Sequence, residues 1–171
     1  GASKAGTFYG VQFLRKSIPV LKTKKIIFPA QQITDQPYFA YRGGHLDSAR
    51  HFFTADSIRI FIDMLALHNM NRFHWHLTDD QGWRFESKKY PELTVIGSTR
   101  SQTMVGKQWT TFDGKPHGGF YTQQEMKDIV KYAADRNITI IPEIDLPGHM
   151  VAVLATYPQL GCTGGPYKVR E

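Results

Sequence analysis

One cysteine among 171 residues, Cys162, rules out an internal disulfide framework and any cysteine-built zinc site. As a nucleophile Cys162 lacks an evident neighbouring base, and a structural thiol is the default reading. No apolar run approaches the length that crosses a bilayer, so no membrane-spanning segment is expected. The N-terminus carries no basic-then-apolar leader pattern, which by itself assigns no compartment. Neither G-x-G-x-x-G nor a P-loop follows any candidate strand, which argues against a nucleotide-binding sheet.

The rest of the composition is ordinary for a globular chain, with 41% hydrophobic and 21% charged residues. Twenty-one basic residues against fifteen acidic ones give a net charge of +6. The basic residues concentrate only at Arg15, Lys16, Lys22, Lys24 and Lys25, where no nucleic-acid motif or interleaved aromatics accompany them. That patch reads as a solvated face, with no nucleic-acid partner.

Periodicity organises the chain. Residues 5–18 place Phe8, Val11, Leu14 and Ile18 at helical spacing before Pro19. The stretch "KIIFPAQQITD" then reads as a strand interrupted by Pro29, hence an edge or a linker. Together these resemble the tail of a small α/β unit. From residue 38 strands alternate with helices. "FAYRGGHLD" is a strand, and "TADSIRIFIDMLALHNM" a helix with Thr54 or Asp56 at its N-cap and an Ile58, Phe61, Ile62, Leu65 stripe. "NRFHWHLT" is the next strand. After a Gly-rich excursion over about 84–121, "TQQEMKDIVKYAADRN" is a helix with Thr122 as N-cap, Glu125 in a capping box and an Ile129, Val130, Ala133 stripe. "ITIIPEIDL" is a near-continuous apolar run, the pattern of a parallel strand covered on both faces.

This alternation predicts right-handed crossovers and a parallel sheet. Polar residues recur at the strands' C-terminal ends: Asp47, then Asp79 and Asp80, then Glu143 and Asp145. That rim is where barrel enzymes carry their chemistry. The fold class expected is therefore α/β, a partial (β/α)₈ barrel of about three units, and three strands would leave an edge that a closed barrel removes. The expectation is a piece of a longer protein: residues 1–34 the end of a small α/β domain and linker, residues 35–171 the first part of the barrel.

Three segments could do chemistry. In the "FHWHL" strand, Phe73, Trp75 and Leu77 face one way and His74, His76 and Thr78 the other. Such an H-x-H pair can hold a metal, as in barrel amidohydrolases, or can line the barrel and donate to carboxylates. Asp79 and Asp80 end that strand pointing oppositely, so one is expected to face the crevice and the other to bond backbone or an arginine of the following turn. In "PEIDLPGHM", Pro147-Gly148 displays His149 near carboxylates, either for proton handling or as a cap for the next helix. Arg50, in "SARHF", offers a rigid fork of donors for hydroxyls or for an ion pair.

The stretches "YRGGHLDSARHFF", "ALHNMNRFHWHLTDDQGWRFESKKYPELT" and "GGFYTQQEMKDIVKYAADRNITIIPEIDLPGHMVAVLATYPQLGC" resemble the catalytic domain of family 20 glycoside hydrolases, the β-N-acetylhexosaminidases. The opening "AGTFYGVQFL" resembles the end of the small domain that precedes the barrel in that family. The resemblance implies a retaining, substrate-assisted mechanism in which the acetamido oxygen attacks the anomeric carbon and forms an oxazolinium ion. It implies no metal or other cofactor. Arg50 matches the arginine that grips ring hydroxyls at the non-reducing end. Asp79 and His149 match the pair networked to the general acid. The family's Asp-Glu dyad, on the fourth strand in a "GGDE"-like motif, has no counterpart here, where the only adjacent acidic pair is Asp79-Asp80. The expected partners are N-acetylhexosamine-terminated glycans, in a periplasmic, extracellular or lysosomal setting. Two alternatives stay open: a metal-dependent barrel hydrolase using His74 and His76, and a non-catalytic carbohydrate-binding relative.

Overall fold

A computed structural model describes residues 1–20, 25–106 and 110–171 of the chain. In chain order its elements are α1 (Lys4–Lys16), β1 (Gly43–Asp47), α2 (Ala55–Leu67), β2 (Arg72–His76), β3 (Thr78–Asp79), β4 (Gly82–Trp83), α3 (Glu92–Val95), β5 (Thr99–Arg100), β6 (His117–Gly118), α4 (Gln123–Ala134), β7 (Thr139–Glu143) and α5 (Val151–Thr156). β1, β2 and β7 form one parallel sheet in that order, with α2 and α4 as the crossovers. These units form an arc of a (β/α)₈ barrel, as the alternation predicted.

Both crossover helices start and stop by the same local chemistry. At α2, Thr54 accepts from the Ser57 N–H, and Asp56 lies in the first turn. At α4, Thr122 Oγ1 accepts from the Glu125 N–H while Glu125 Oε2 accepts from the Thr122 N–H at 2.8 Å, a complete capping box. Each helix ends on an asparagine in the left-handed region, Asn69 at φ 58° and Asn137 at φ 57°. The next N–H groups, of Met70 and Ile138, reach back five residues to the carbonyls of Leu65 and Ala133, which is the Schellman arrangement. This turn returns the chain directly into β2 and β7.

The core lies between the sheet and these helices. Phe73, Trp75 and Leu77 are fully buried against Ile58, Ile62, Leu65, Ile129, Ala133 and Ile138. Burying each such side chain contributes about 1.5–3 kcal/mol. The Trp75 indole N–H is satisfied by Ser48 Oγ at 2.9 Å, which ties the core to the loop after β1. The opposite face of the sheet carries His45, His74, His76 and Glu143. Its register aligns Asp47, His76 and Glu143 side by side at the C-terminal ends of the three strands.

Several expectations are corrected. "KIIFPAQQITD" is not a strand: residues 25–35 pair with no strand among the described residues, and Ile26, Ile27, Phe28 and Ile33 are exposed. A β-prone run becomes a strand only beside a ladder partner. The strand read in "FAYRGGHLD" shortens to Gly43–Asp47, because the Arg42 N–H goes to Asn71 Oδ1 rather than into the sheet. The 5–18 helix is present, but Val11, Leu14 and Ile18 point outward; Phe8 packs against the core and Gln12 is the buried residue of α1. Val130 is exposed beside its buried neighbours Ile129 and Ala133. β7 is not covered on both faces here, since Ile141 is exposed, as is Ile144 just past its end. Lys22 and Lys24 of the basic patch lie outside the described residues.

Candidate active site

The three sequence-nominated residues Arg50, Asp79 and His149 meet at one point. They come from the loop after β1, from β3 and from the turn before α5. Asp79 is the hub and is 1% exposed. Its Oδ2 lies 2.6 Å from an Arg50 guanidinium nitrogen and 3.0 Å from His76 Nε2. Its Oδ1 lies 3.1 Å from His149 Nδ1 and accepts the Asp80 N–H at 2.7 Å. A carboxylate this buried is tolerable only when such donors surround it.

Arg50 spans two carboxylates. One nitrogen reaches Asp79 and the other reaches Asp47 Oδ2 at 2.7 Å. Asp47 Oδ1 also accepts the backbone N–H groups of Ala49 and Arg50, each at 3.0 Å, which folds the loop so that Arg50 turns back over the sheet. Burial pushes the Asp47 carboxyl up, but the hydrogen bonds and charge of Arg50 outweigh it and hold Asp47 below the usual carboxylate range. Nearly half of the Arg50 side chain remains open to solvent and so accessible to a ligand.

His149 stands at φ 55° in the turn and its side chain is 53% exposed. The N–H of Val151, at the start of α5, is accepted by Asp80 Oδ1 at 3.2 Å, and His149 is turned to Asp79 instead. Asp80 bonds backbone as expected, but it lies in the turn after β3 and does not point away from Asp79: its Oδ2 is also 3.8 Å from His149 Nδ1. Asp80 meets an arginine, Arg170 at 3.4 Å, rather than one of the following turn. The arginine of that turn, Arg84, is fully buried and donates to the carbonyls of Ser48, Ala49, Ser98 and Gly119. Desolvation, with Arg100 nearby, pushes its pKa down to about 10. Arg84 thereby gathers the Arg50 loop and the Gly-rich excursion around one cation.

Residue-by-residue reading understated His76 and Glu143. Glu143 Oε2 lies 2.5 Å from His74 Nε2, 3.0 Å from His76 Nδ1 and 3.9 Å from His45 Nε2. The signal was the register: His76 and Glu143 end neighbouring parallel strands at the same level. Three sets bring candidate metal-donor atoms within 4.8 Å of one another: His45, His74 and Glu143; His76, Asp79 and Asp145; Asp79, Asp80 and His149. Such donors suit a divalent cation in type. In two of the sets, however, a carboxylate already faces an arginine, and in the third the Glu143 oxygen already has the His74 and His76 ring nitrogens at hydrogen-bond distance.

The sequence itself matches a known family. The model of the family "Glycosyl hydrolase family 20, catalytic domain" matches residues 39–170. The chain belongs to glycosyl hydrolase family 20. Among its curated relatives is a Beta-hexosaminidase of Porphyromonas gingivalis, 47% identical over 176 residues, covering 99% of this chain and 22% of the relative. A Beta-hexosaminidase of Akkermansia muciniphila is 42% identical over 163 residues, covering 95% of this chain and 32% of the relative. The chain thus spans between about a fifth and a third of the length of these family 20 relatives. In solved structures, a beta-N-acetylhexosaminidase from Bacteroides fragilis superposes with a TM-score of 0.80 at 44% identity, covering 99% of this chain and 32% of that one. A mutant Streptomyces plicatus beta-hexosaminidase in complex with GlcNAc gives 0.84 at 38% identity, covering 98% and 33%.

Proposed function

We propose that this chain is the first part of the catalytic barrel of an exo-β-N-acetylhexosaminidase. The reading rests on one observation above others: Arg50 and His149 converge on the buried carboxylate of Asp79 at the C-terminal ends of the strands. In this reading residues 1–34 end a small α/β domain and its linker, and residues 35–171 begin the barrel. The substrates are glycans ending in N-acetylglucosamine or N-acetylgalactosamine, met in a periplasmic, extracellular or lysosomal setting.

The mechanism is the retaining, substrate-assisted one. The acetamido oxygen of the terminal sugar attacks its own anomeric carbon as the glycosidic bond breaks, and water then opens the oxazolinium intermediate. Arg50 holds ring hydroxyls through the open side of its guanidinium. Asp79 and His149 form the network that supports the general acid. That acid, a glutamate, and the aspartate that orients the acetamido group are not among these 171 residues. These residues alone are therefore expected to be inactive, and catalysis belongs to a full-length protein. Hydrolysis of a chromogenic N-acetyl-β-glucosaminide by the full-length protein, and none by the 171-residue chain, is the expected result. Turnover by the purified chain would overturn the assignment of roles. Binding of the sugar by the full-length protein without turnover would favour a non-catalytic relative.

A further inference from the structure

His76 is buried at the C-terminal end of β2 and is engaged on both ring nitrogens. Nε2 lies 3.0 Å from Asp79 Oδ2, and Nδ1 lies 3.0 Å from Glu143 Oε2. A neutral imidazole has one N–H and one lone pair. It could satisfy one carboxylate only by turning its lone pair on the other. An imidazolium donates to both.

The surroundings act in the same direction. The register partners of His76 are Asp47 on β1 and Glu143 on β7. Asp145, just past β7, brings a carboxylate oxygen within 4.8 Å of the His76 and Asp79 donor atoms. The cationic or titratable groups facing the ring are Arg50, at 3.5 Å from Nε2, His45, whose ring centre is 6.0 Å away, and His74, which shares the Glu143 oxygen. Asp47, Asp79, Glu143 and Asp145 thus set four carboxylates near the guanidinium of Arg50, and a charged His76 supplies a second positive charge among them.

We propose that His76, as an imidazolium anchored by Glu143, is a positioning residue that holds Asp79 Oδ2 and so keeps Oδ1 turned toward His149. This rests on the hexosaminidase reading of the site. The other holder of Oδ2 is Arg50, which also serves Asp47 and which that reading turns toward the substrate. While Arg50 is shared among Asp47, Asp79 and a sugar, His76 holds Oδ2 from the β2 side, and the Asp80 N–H and His149 hold Oδ1. Burial works against charge on this ring, but the hydrogen bonds to Asp79 and Glu143 outweigh it and raise the His76 pKa above that of free imidazole.

The test is an NMR titration of the full-length protein labelled with ¹⁵N-histidine, run beside pH profiles of kcat and KM. His76 is assigned as the ring signal missing in His76→Gln. It is expected to show two protonated ring nitrogens at pH 7, with a midpoint above 6.5, the ordinary imidazole value. Glu143→Gln removes an anchoring charge and is expected to lower that midpoint by about one unit or more. The alkaline limb of kcat then moves to lower pH while KM changes little. His76→Gln is expected to lose about 10²-fold in kcat, the scale of an ångström-level misplacement. A single protonated ring nitrogen at pH 7, or a midpoint that Glu143→Gln leaves in place, would overturn the proposal, and the first readout needs no variant to fold beyond the assignment. An inactive wild-type protein whose His76 titrates as expected would sink the hexosaminidase reading and leave the cationic bridge standing. An active protein with a neutral His76 would sink the bridge alone.

Discussion

Replacing Arg84 with methionine isolates what the buried guanidinium does, because methionine keeps the apolar stem and removes every donor. Arg84 serves five carbonyls, those of Ser48, Ala49, Ser98, Gly119 and, at 3.4 Å, Gln81, which keeps Arg100 as a second donor. Ser98 keeps a second donor, the Gly119 N–H at 3.2 Å. Three buried carbonyls are therefore left without their arginine, at about 1–3 kcal/mol each. Against this, the substitution relieves the cost of burying the cation. A pKa pushed from 12.5 down to about 10 puts that relief at about 3 kcal/mol. The difference leaves a net destabilisation of about 3 kcal/mol, in the range expected for breaking a buried polar network. Two of the orphaned carbonyls, of Ser48 and Ala49, immediately precede Arg50, so KM is expected to rise more than kcat falls. The assay is urea unfolding of the full-length protein together with steady-state kinetics on a chromogenic N-acetylglucosaminide. An unfolding free energy within about 0.5 kcal/mol of wild type, the size of an ordinary surface substitution, would refute the idea that these three carbonyls depend on this cation.

Arg50→Lys keeps the charge but cannot reach Asp47 and Asp79 with two rigid nitrogens, so kcat/KM is expected to drop by about 10²-fold, mostly through KM; steady-state kinetics decides it. His117 accepts the Phe52 N–H at 2.9 Å, and burial with nearby Arg100 lowers its pKa to about 4. A depressed histidine pKa means the unfolded chain binds the extra proton first, so its contribution is present above pH 6.5 and lost as pH falls toward 4. His117→Asn should flatten the fall in urea midpoint between pH 7 and pH 5, and an undiminished slope would count against that role. Prolonged chelation is expected to leave activity unchanged, since arginines and histidines already meet the rim carboxylates; loss of activity restored by zinc would reverse that reading.

The parts legible in the sequence share a property: each is decided within a few residues. The capping box at Thr122 and Glu125 and the α2 stripe of Ile58, Ile62 and Leu65 are of this kind. What could not be read is decided across the fold. The exposed Ile27 and Phe28 are β-prone residue types, yet beside Pro29 they pair with no strand among the described residues. Val11 and Leu14 satisfy the helical period, yet the face of α1 that packs is the one bearing Phe8 and Gln12. His76 is the most instructive case, because H-x-H on a strand carries the same local signal whether it holds a metal or a carboxylate. The choice depends on what the parallel register places beside it, and here that is Asp47 on one side and Glu143 on the other, with Asp79 above. A histidine flanked by carboxylates on three elements is better explained as the cation that neutralises them than as a ligand awaiting one. Register, not spacing along the chain, turns this pair of barrel-lining histidines into part of the site.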